Sequence, residues 1–180
     1  MKQIKMYGLG GQGVVTAAKV FCEAVAIHEN GYAQAIPAYG HERRGAPVYS
    51  DAIVSRDPIK IKGFVYTPDY VIIFDDSVMD KGIDVMAGTT DQTVFIVNTP
   101  ALKENYPFNK NKVFWVDAQS IALDALKVDI PNTAMLGALA GAKLVSMDAI
   151  IKAIKDKFRK GAEANIKAAR AAHDQIASNG

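Results

Sequence analysis

Gln3-Ile4-Lys5-Met6-Tyr7 runs into Gly8-Leu9-Gly10-Gly11-Gln12-Gly13 and then into Val14-Val-Thr-Ala-Ala-Lys-Val-Phe-Cys-Glu-Ala-Val-Ala-Ile-His28. The first segment is short and mostly apolar, as a buried strand is, and the glycines interrupt it. The third segment places Val14, Ala18, Phe21 and Val25 on one stripe at helical spacing. Lys19 and Glu23 stand one turn apart on the other face, where they can pair. Asn30-Gly31 is a helix stop, and residues 32–36 read as a second strand. A strand–helix–strand unit implies a parallel sheet. The chain therefore opens as an α/β protein.

Working outward, residues 48–55 and 59–61 look like two strands joined at Arg56-Asp57-Pro58, a hairpin that can add antiparallel to the sheet. Residues 69–75 form an apolar run ending in Asp75, with Asp76 next to it, and residues 93–97 and 113–116 repeat the apolar run. A short helix is predicted between 77 and 87. Continuously apolar strands need cover on both faces, which is the three-layer α/β arrangement. Helices are predicted over 118–126, 135–144 and 162–177, and another starts at Ser146 as N-cap and buries Met147, Ile150, Ile151, Ile154 and Phe158. The pairs Glu163–Lys167 and Arg170–Asp174 support the last helix.

The 180 residues are 49% hydrophobic and 22% charged, which fits one domain spanning 1–180. A net charge of +2 gives no electrostatic case for nucleic acid or a membrane surface. Cys22 is the only cysteine. An internal disulfide, a thiolate zinc site and an iron–sulfur cluster held by this chain alone are all excluded. Residues 1–5 lack the apolar core of a signal peptide, and no stretch approaches the ~20 apolar residues of a membrane span, so a cytoplasmic protein is expected.

Gly8, Gly10, Gly11, Gln12 and Gly13 lie between a strand and a helix, where bare amides backed by the helix dipole can hold a phosphate. A nicotinamide or flavin site would also need an acid after the second strand, and none occurs before Glu42. Three readings stay open: a contact with a phosphate-bearing ligand or partner chain, a packing device, and a free-standing dinucleotide site. The loop 38–47 should lie beside this turn. It carries Tyr39, His41, Glu42, Arg43 and Arg44, and the two arginines can clamp a carboxylate or phosphate. Its plainer reading is an ion-paired surface loop. Asp75-Asp76 can bind a cation, but acids there more often cap the next helix. His28, His41 and His173 have no partner in a triad context. Asn132 or Thr133 can cap a helix whose Gly137, Ala138 and Gly141 form a thin face, for internal packing or for a subunit interface.

Three segments together carry a resemblance: Gly8-Leu-Gly-Gly-Gln-Gly-Val-Val-Thr-Ala-Ala18, Tyr39-Gly-His-Glu-Arg-Arg-Gly-Ala-Pro47, and Ile130-Pro-Asn-Thr-Ala-Met-Leu-Gly-Ala138. In this order and spacing they resemble the gamma subunit of the 2-oxoacid:ferredoxin oxidoreductases, over nearly the whole chain. The second segment is closest to pyruvate-type members, although Arg44 stands where those often have an uncharged residue. The resemblance implies a Rossmann-like accessory subunit without catalytic residues or bound cofactor of its own. It also implies alpha and beta partner subunits, with a delta chain as a further partner. Thiamine diphosphate and Mg are then held between alpha and beta, iron–sulfur clusters lie on beta and delta, coenzyme A accepts the acyl group, and ferredoxin takes the electrons through the complex. The glycine turn (Gly8, Gly10, Gly11, Gln12, Gly13), Tyr39, Glu42, Arg43 and Arg44, and Asn132 thereby become candidates for contact with the phosphates of coenzyme A or with the alpha subunit. The rival readings are a free-standing dinucleotide-binding protein and a purely structural assembly module.

Overall fold

The computed structural model describes residues 1–38 and 43–179. Its strands are β1 (Lys2–Leu9), β2 (Tyr32–Pro37), β3 (Pro47–Ser55), β4 (Tyr70–Ile73), β5 (Val94–Asn98), β6 (Lys112–Val116) and β7 (Ala177–Ser178). They form one sheet in the order β2-β3-β1-β4-β5-β6-β7. The β1–β4, β4–β5 and β5–β6 pairs are parallel, while β1–β3, β2–β3 and β6–β7 are antiparallel. Five of the seven strands thus run the same way, and the sheet is mostly parallel as expected.

The first strand–helix–strand unit is split. β2 runs in the direction of β1, but β3 lies between them. Burial explains the order: residues 50–54 of β3 are all buried, whereas β2 has no buried residue and takes the edge. The hairpin is therefore β2–β3, not the one expected over 48–61. Residues 59–61 cannot pair with β3, because both its edges are occupied, and they form no strand. The helix expected over 77–87 reduces to a 3-10 turn, Asp76–Val78. Gly82 and Gly88, at φ 82° and 73°, turn the chain out of helical geometry on either side of Asp84. β7 was not legible in the sequence, since it is two residues long.

The helices are α1 (Val14–Glu23), α2 (Ala118–Leu126), α3 (Asn132–Gly141), α4 (Met147–Lys157) and α5 (Ala162–Gln175). α1 continues as a π-helical turn, Ala24–His28, and Asn30 ends it at φ 55°. Ser146 caps α4, accepting the Ala149 amide at 3.3 Å. The surface pairs expected for α1 and α5 do not form within salt-bridge distance; the intrahelical ion pair at that spacing is Asp148–Lys152 on α4, at 2.6 Å.

Strand residues alternate between two cores. Ile4, Met6, Ile72, Phe74 and Ile96 join the helices in one. Tyr7, Val71, Ile73, Phe95, Val97 and Val113 form the other with Val78, Val85, Tyr106 and Phe108 from the irregular segments on the opposite face. There Phe108 stacks on Phe95 at 4.4 Å and on Tyr106 at 4.9 Å. Both faces are covered, one by α-helices and one by turns.

Gly137 and Gly141 resolve the thin face of α3. A Cβ at Gly137 would strike the Ala169 carbonyl of α5, and one at Gly141 would lie 2.7 Å from Ile176. The face is internal packing. Cys22 is buried in α1, and burial pushes its thiol up to about 12. Because the thiolate is the reactive form, Cys22 should resist an aqueous disulfide reagent at pH 8 in the folded chain and titrate fully in denaturant. Full reaction without denaturant would contradict this placement.

Candidate functional site

β1 carries the glycine turn to the carboxyl end of the parallel strands, where open α/β sheets bind ligands. Gly11 and Gly13 have φ 100° and 75°, a region that L side chains rarely enter. Gly13 is the N-cap of α1 and brings no side chain to it. The first helical bond runs from the Ala17 amide to the Gly13 carbonyl at 2.8 Å. The amides of Gly11, Gly13, Val14, Val15 and Thr16 therefore have no acceptor among the described residues. They border a pocket of about 250 Å³ walled by the turn, the first turn of α1 and Val48. Unpaired amides at a helix start attract an anion.

The segment after the undescribed part of the loop is strapped to this turn. The Gly10 amide donates to the Ala46 carbonyl at 2.8 Å, and the Gly45 amide to the Gly10 carbonyl at 3.0 Å. The approach is so close that a Cβ at Gly10 would strike the Arg43 carbonyl. The Arg44 side chain runs beside Gly11, with its Cγ 3.5 Å and its Nε 3.9 Å from where a Cβ of Gly11 would stand. Arg43 and Arg44 are exposed and form no ion pair with a described residue. The structure thus brings both arginines to the turn. Tyr39, His41 and Glu42 lie outside the described residues.

Asn132 arrives from α3. It is 8% exposed, and its Nδ2 would lie 2.6 Å from a Cβ at Gly13. Its Oδ1 accepts the Thr133 amide at 2.8 Å, while its Nδ2 donates to no described residue. An unengaged N–H beside the free amides is a further donor for an anion. Gly8 serves packing: its Cβ would lie 2.6 Å from Val14 and 2.9 Å from Phe74. Gln12 is turned inward. Its Oε1 accepts the Leu9 amide at 2.8 Å, and its Nε2 donates to Asp75 Oδ2 at 2.7 Å.

Asp75 caps the following turn, as its position implied, accepting the Ser77 amide and hydroxyl at 3.0 and 2.6 Å. Asp76 instead receives Lys103 and the Tyr106 hydroxyl. Partial burial opposes its charge, but these two donors prevail and hold the carboxyl below the usual carboxylate range. His28 pairs with Asp156 at 3.0 Å, and His173 with the adjacent Asp174 at 2.8 Å; both contacts are remote from the turn in the chain.

The dinucleotide reading loses its structural basis here. A ribose-gripping acid would stand at the end of a strand next to β1, and the acids after its parallel neighbour β4 are already engaged, Asp75 by Gln12 and Ser77 and Asp76 by Lys103 and Tyr106. Sequence reasoning missed the Gln12–Asp75 contact, which joins residues 63 positions apart. It also missed the buried pair Lys5–Asp51 at 3.0 Å. A lysine and an aspartate inside otherwise apolar strands are the signal that could have flagged the latter.

A family model described as pyruvate ferredoxin/flavodoxin oxidoreductase matches residues 3–175. The gamma subunit common to the pyruvate and ketoisovalerate oxidoreductases of Pyrococcus furiosus is 44% identical, with 97% of each chain covered. The crystal structure of the pyruvate oxidoreductase subunit PORC from Thermotoga maritima superposes with a TM-score of 0.84 at 30% identity, covering 100% of both chains. The 2-oxoglutarate:ferredoxin oxidoreductase from Magnetococcus marinus, solved with 2-oxoglutarate, coenzyme A and succinyl-CoA, shares the fold. Its TM-score is 0.78 at 18% identity, over 97% of this chain and 31% of that one.

Proposed function

Since the chain belongs to the pyruvate ferredoxin/flavodoxin oxidoreductase family, we propose that it is the gamma subunit of a multisubunit 2-oxoacid:ferredoxin oxidoreductase, and that its glycine turn receives the phosphates of coenzyme A. Pyruvate is the favoured 2-oxoacid, because relatives at 44% and 30% identity carry that substrate in their names. The complex oxidatively decarboxylates the 2-oxoacid, yields acyl-coenzyme A and passes the electrons to ferredoxin. This chain is an accessory to that chemistry.

The donor chemistry divides the cofactors. One buried cysteine does not suit an iron–sulfur cluster, which needs several thiolates. The clusters, thiamine diphosphate and Mg therefore belong to the alpha, beta and delta partners in this reading. Coenzyme A fits better. The observation that carries it is the row of amides at Gly11 and Gly13–Thr16 that, like the Asn132 Nδ2 and Arg44 beside them, have no partner among the described residues. Coenzyme A supplies the thiol that takes up the acyl group. The residues of this chain bind and orient its phosphates: the amides and Asn132 donate hydrogen bonds, and Arg43 and Arg44 add charge. Tyr39 and Glu42, close to the arginines in sequence, are assigned to the same ligand in this reading.

Arg43→Ala and Arg44→Ala in the assembled enzyme should each raise the KM for coenzyme A by roughly threefold to tenfold, the range for exposed, charge-assisted contacts. The KM for the 2-oxoacid should not follow. An unchanged KM for coenzyme A in an intact complex would remove the ligand from this turn.

A packing role for the same turn has its own support. Gly8, Gly10 and Gly13 all sit where a Cβ would meet a neighbour. The two roles are compatible, since close packing is what holds the free amides in place.

A further inference from the structure

We propose that Gln12 and Asp75 are positioning residues, which set the affinity of the glycine turn for a phosphate-bearing ligand without touching it. The inference rests on the coenzyme A reading above.

The turn has few internal restraints. Gln12 closes it across its base: its own amide donates to the Leu9 carbonyl at 3.1 Å, and its side-chain Oε1 accepts the Leu9 amide at 2.8 Å. The other end of the carboxamide donates to Asp75 Oδ2 at 2.7 Å. Asp75 is itself fixed, because its Oδ1 holds the amide and hydroxyl of Ser77. A continuous chain of hydrogen bonds thus ties the turn to the end of β4. Gln12 stands between Gly11 and Gly13, the two left-handed positions of the turn that carries the unpaired amides.

The polarity of the brace is specific. The side chain at position 12 must accept at one end and donate at the other. Gln12→Glu keeps the first bond but faces Asp75 with a second carboxylate, and like charges at this distance repel. Asp75→Asn leaves the brace without its charge-assisted bond. In the pair Gln12→Glu/Asp75→Asn the bond reverses direction: the Asn amide donates to the Glu carboxylate, and the Asn carbonyl still accepts from Ser77. The net charge then equals that of the native pair.

Calorimetric titration of the intact complex with coenzyme A reads the outcome. Gln12→Glu should weaken Kd by about tenfold, the scale of losing a charge-assisted hydrogen bond. KM for coenzyme A should rise more than kcat falls, and exchange should quicken at the hydrogen-bonded amides of Leu9 and Gln12. The double variant should recover most of the affinity and the slow exchange. Should Gln12→Glu fail to assemble, Gln12→Asn offers the same groups on a shorter arm that cannot reach both partners, and it should weaken Kd in the same direction. Native affinity in an assembled Gln12→Glu or Gln12→Asn complex, or a double variant no better than the single one, overturns the proposal. The two readings fail separately. If the Arg43 and Arg44 variants weaken coenzyme A binding while those at Gln12 do not, only the positioning role falls. If neither set changes it, the ligand assignment falls as well.

Discussion

Asp51→Ala should destabilise the folded chain by about 3–5 kcal/mol, the cost of leaving one partner of a buried ion pair uncompensated. Asp51 is fully buried on β3, and it accepts Lys5 Nζ through both oxygens at 3.0 and 3.3 Å. It also accepts the Val65 amide at 2.7 Å, while Lys5 donates to the Val65 carbonyl at 2.9 Å. The cluster therefore joins β1, β3 and the segment at 65 that covers this face. Truncation strands an ammonium that is largely shielded from water, and it also frees a buried amide. Asp51→Asn retains an acceptor for Val65 and should cost less. Replacing both partners at once, as Lys5→Met/Asp51→Leu, should recover much of the loss, since no charge remains buried. Urea unfolding of the isolated subunit measures all three. A loss below about 1 kcal/mol for Asp51→Ala would mean that water reaches the pair freely.

Gly137→Ala is the second large effect. From helix propensity alone, alanine in the middle of α3 should stabilise by roughly 0.5–1 kcal/mol. Packing reverses the sign. The added methyl would overlap the Ala169 carbonyl, which is backbone of α5 and cannot rotate away as a side chain could. α3 and α5 must then separate, and overpacking of this kind costs about 1–3 kcal/mol or more. The neighbouring Ala138 and Leu139 are buried as well, so little slack is available. The thermal midpoint should fall by several degrees, at about 2–4 °C per kcal/mol for a chain of this size. Ala at Gly63, where a Cβ meets open space, is the control and should leave the midpoint nearly unchanged. A stabilised Gly137→Ala variant would show that the helices are not in contact there.

The candidate site was legible in sequence where local chemistry suffices. Glycines between an apolar strand and an amphipathic stripe marked a strand–turn–helix junction, and the turn sits there. The nearness of Arg43 and Arg44 followed from the rule that loops gather at the carboxyl ends of parallel strands. What could not be read was the orientation of individual groups. Gln12 stands among the glycines as a ligand residue would, yet both ends of its carboxamide are engaged within the chain. Asn132 is a helix-start residue by sequence, and its place against Gly13 depends on how α3 crosses α1. In each case the deciding partner lies more than sixty positions away.

The amino-acid sequence by itself determined the α/β class, the glycine turn at the head of α1, the lack of sulfur ligands and the family resemblance. All of these depend on residue identity and on spacings within one or two turns of chain. Tertiary structure alone decided that β3 inserts between β1 and β2. It decided that residues 59–61 stay unpaired, and that the small residues of α3 meet α5 and not another subunit. Strand order and helix contact are settled by competition for the same buried edge or face. The winner is the segment that buries the most apolar surface, as β3 does over β2, and that comparison can be made only once every competitor is in place.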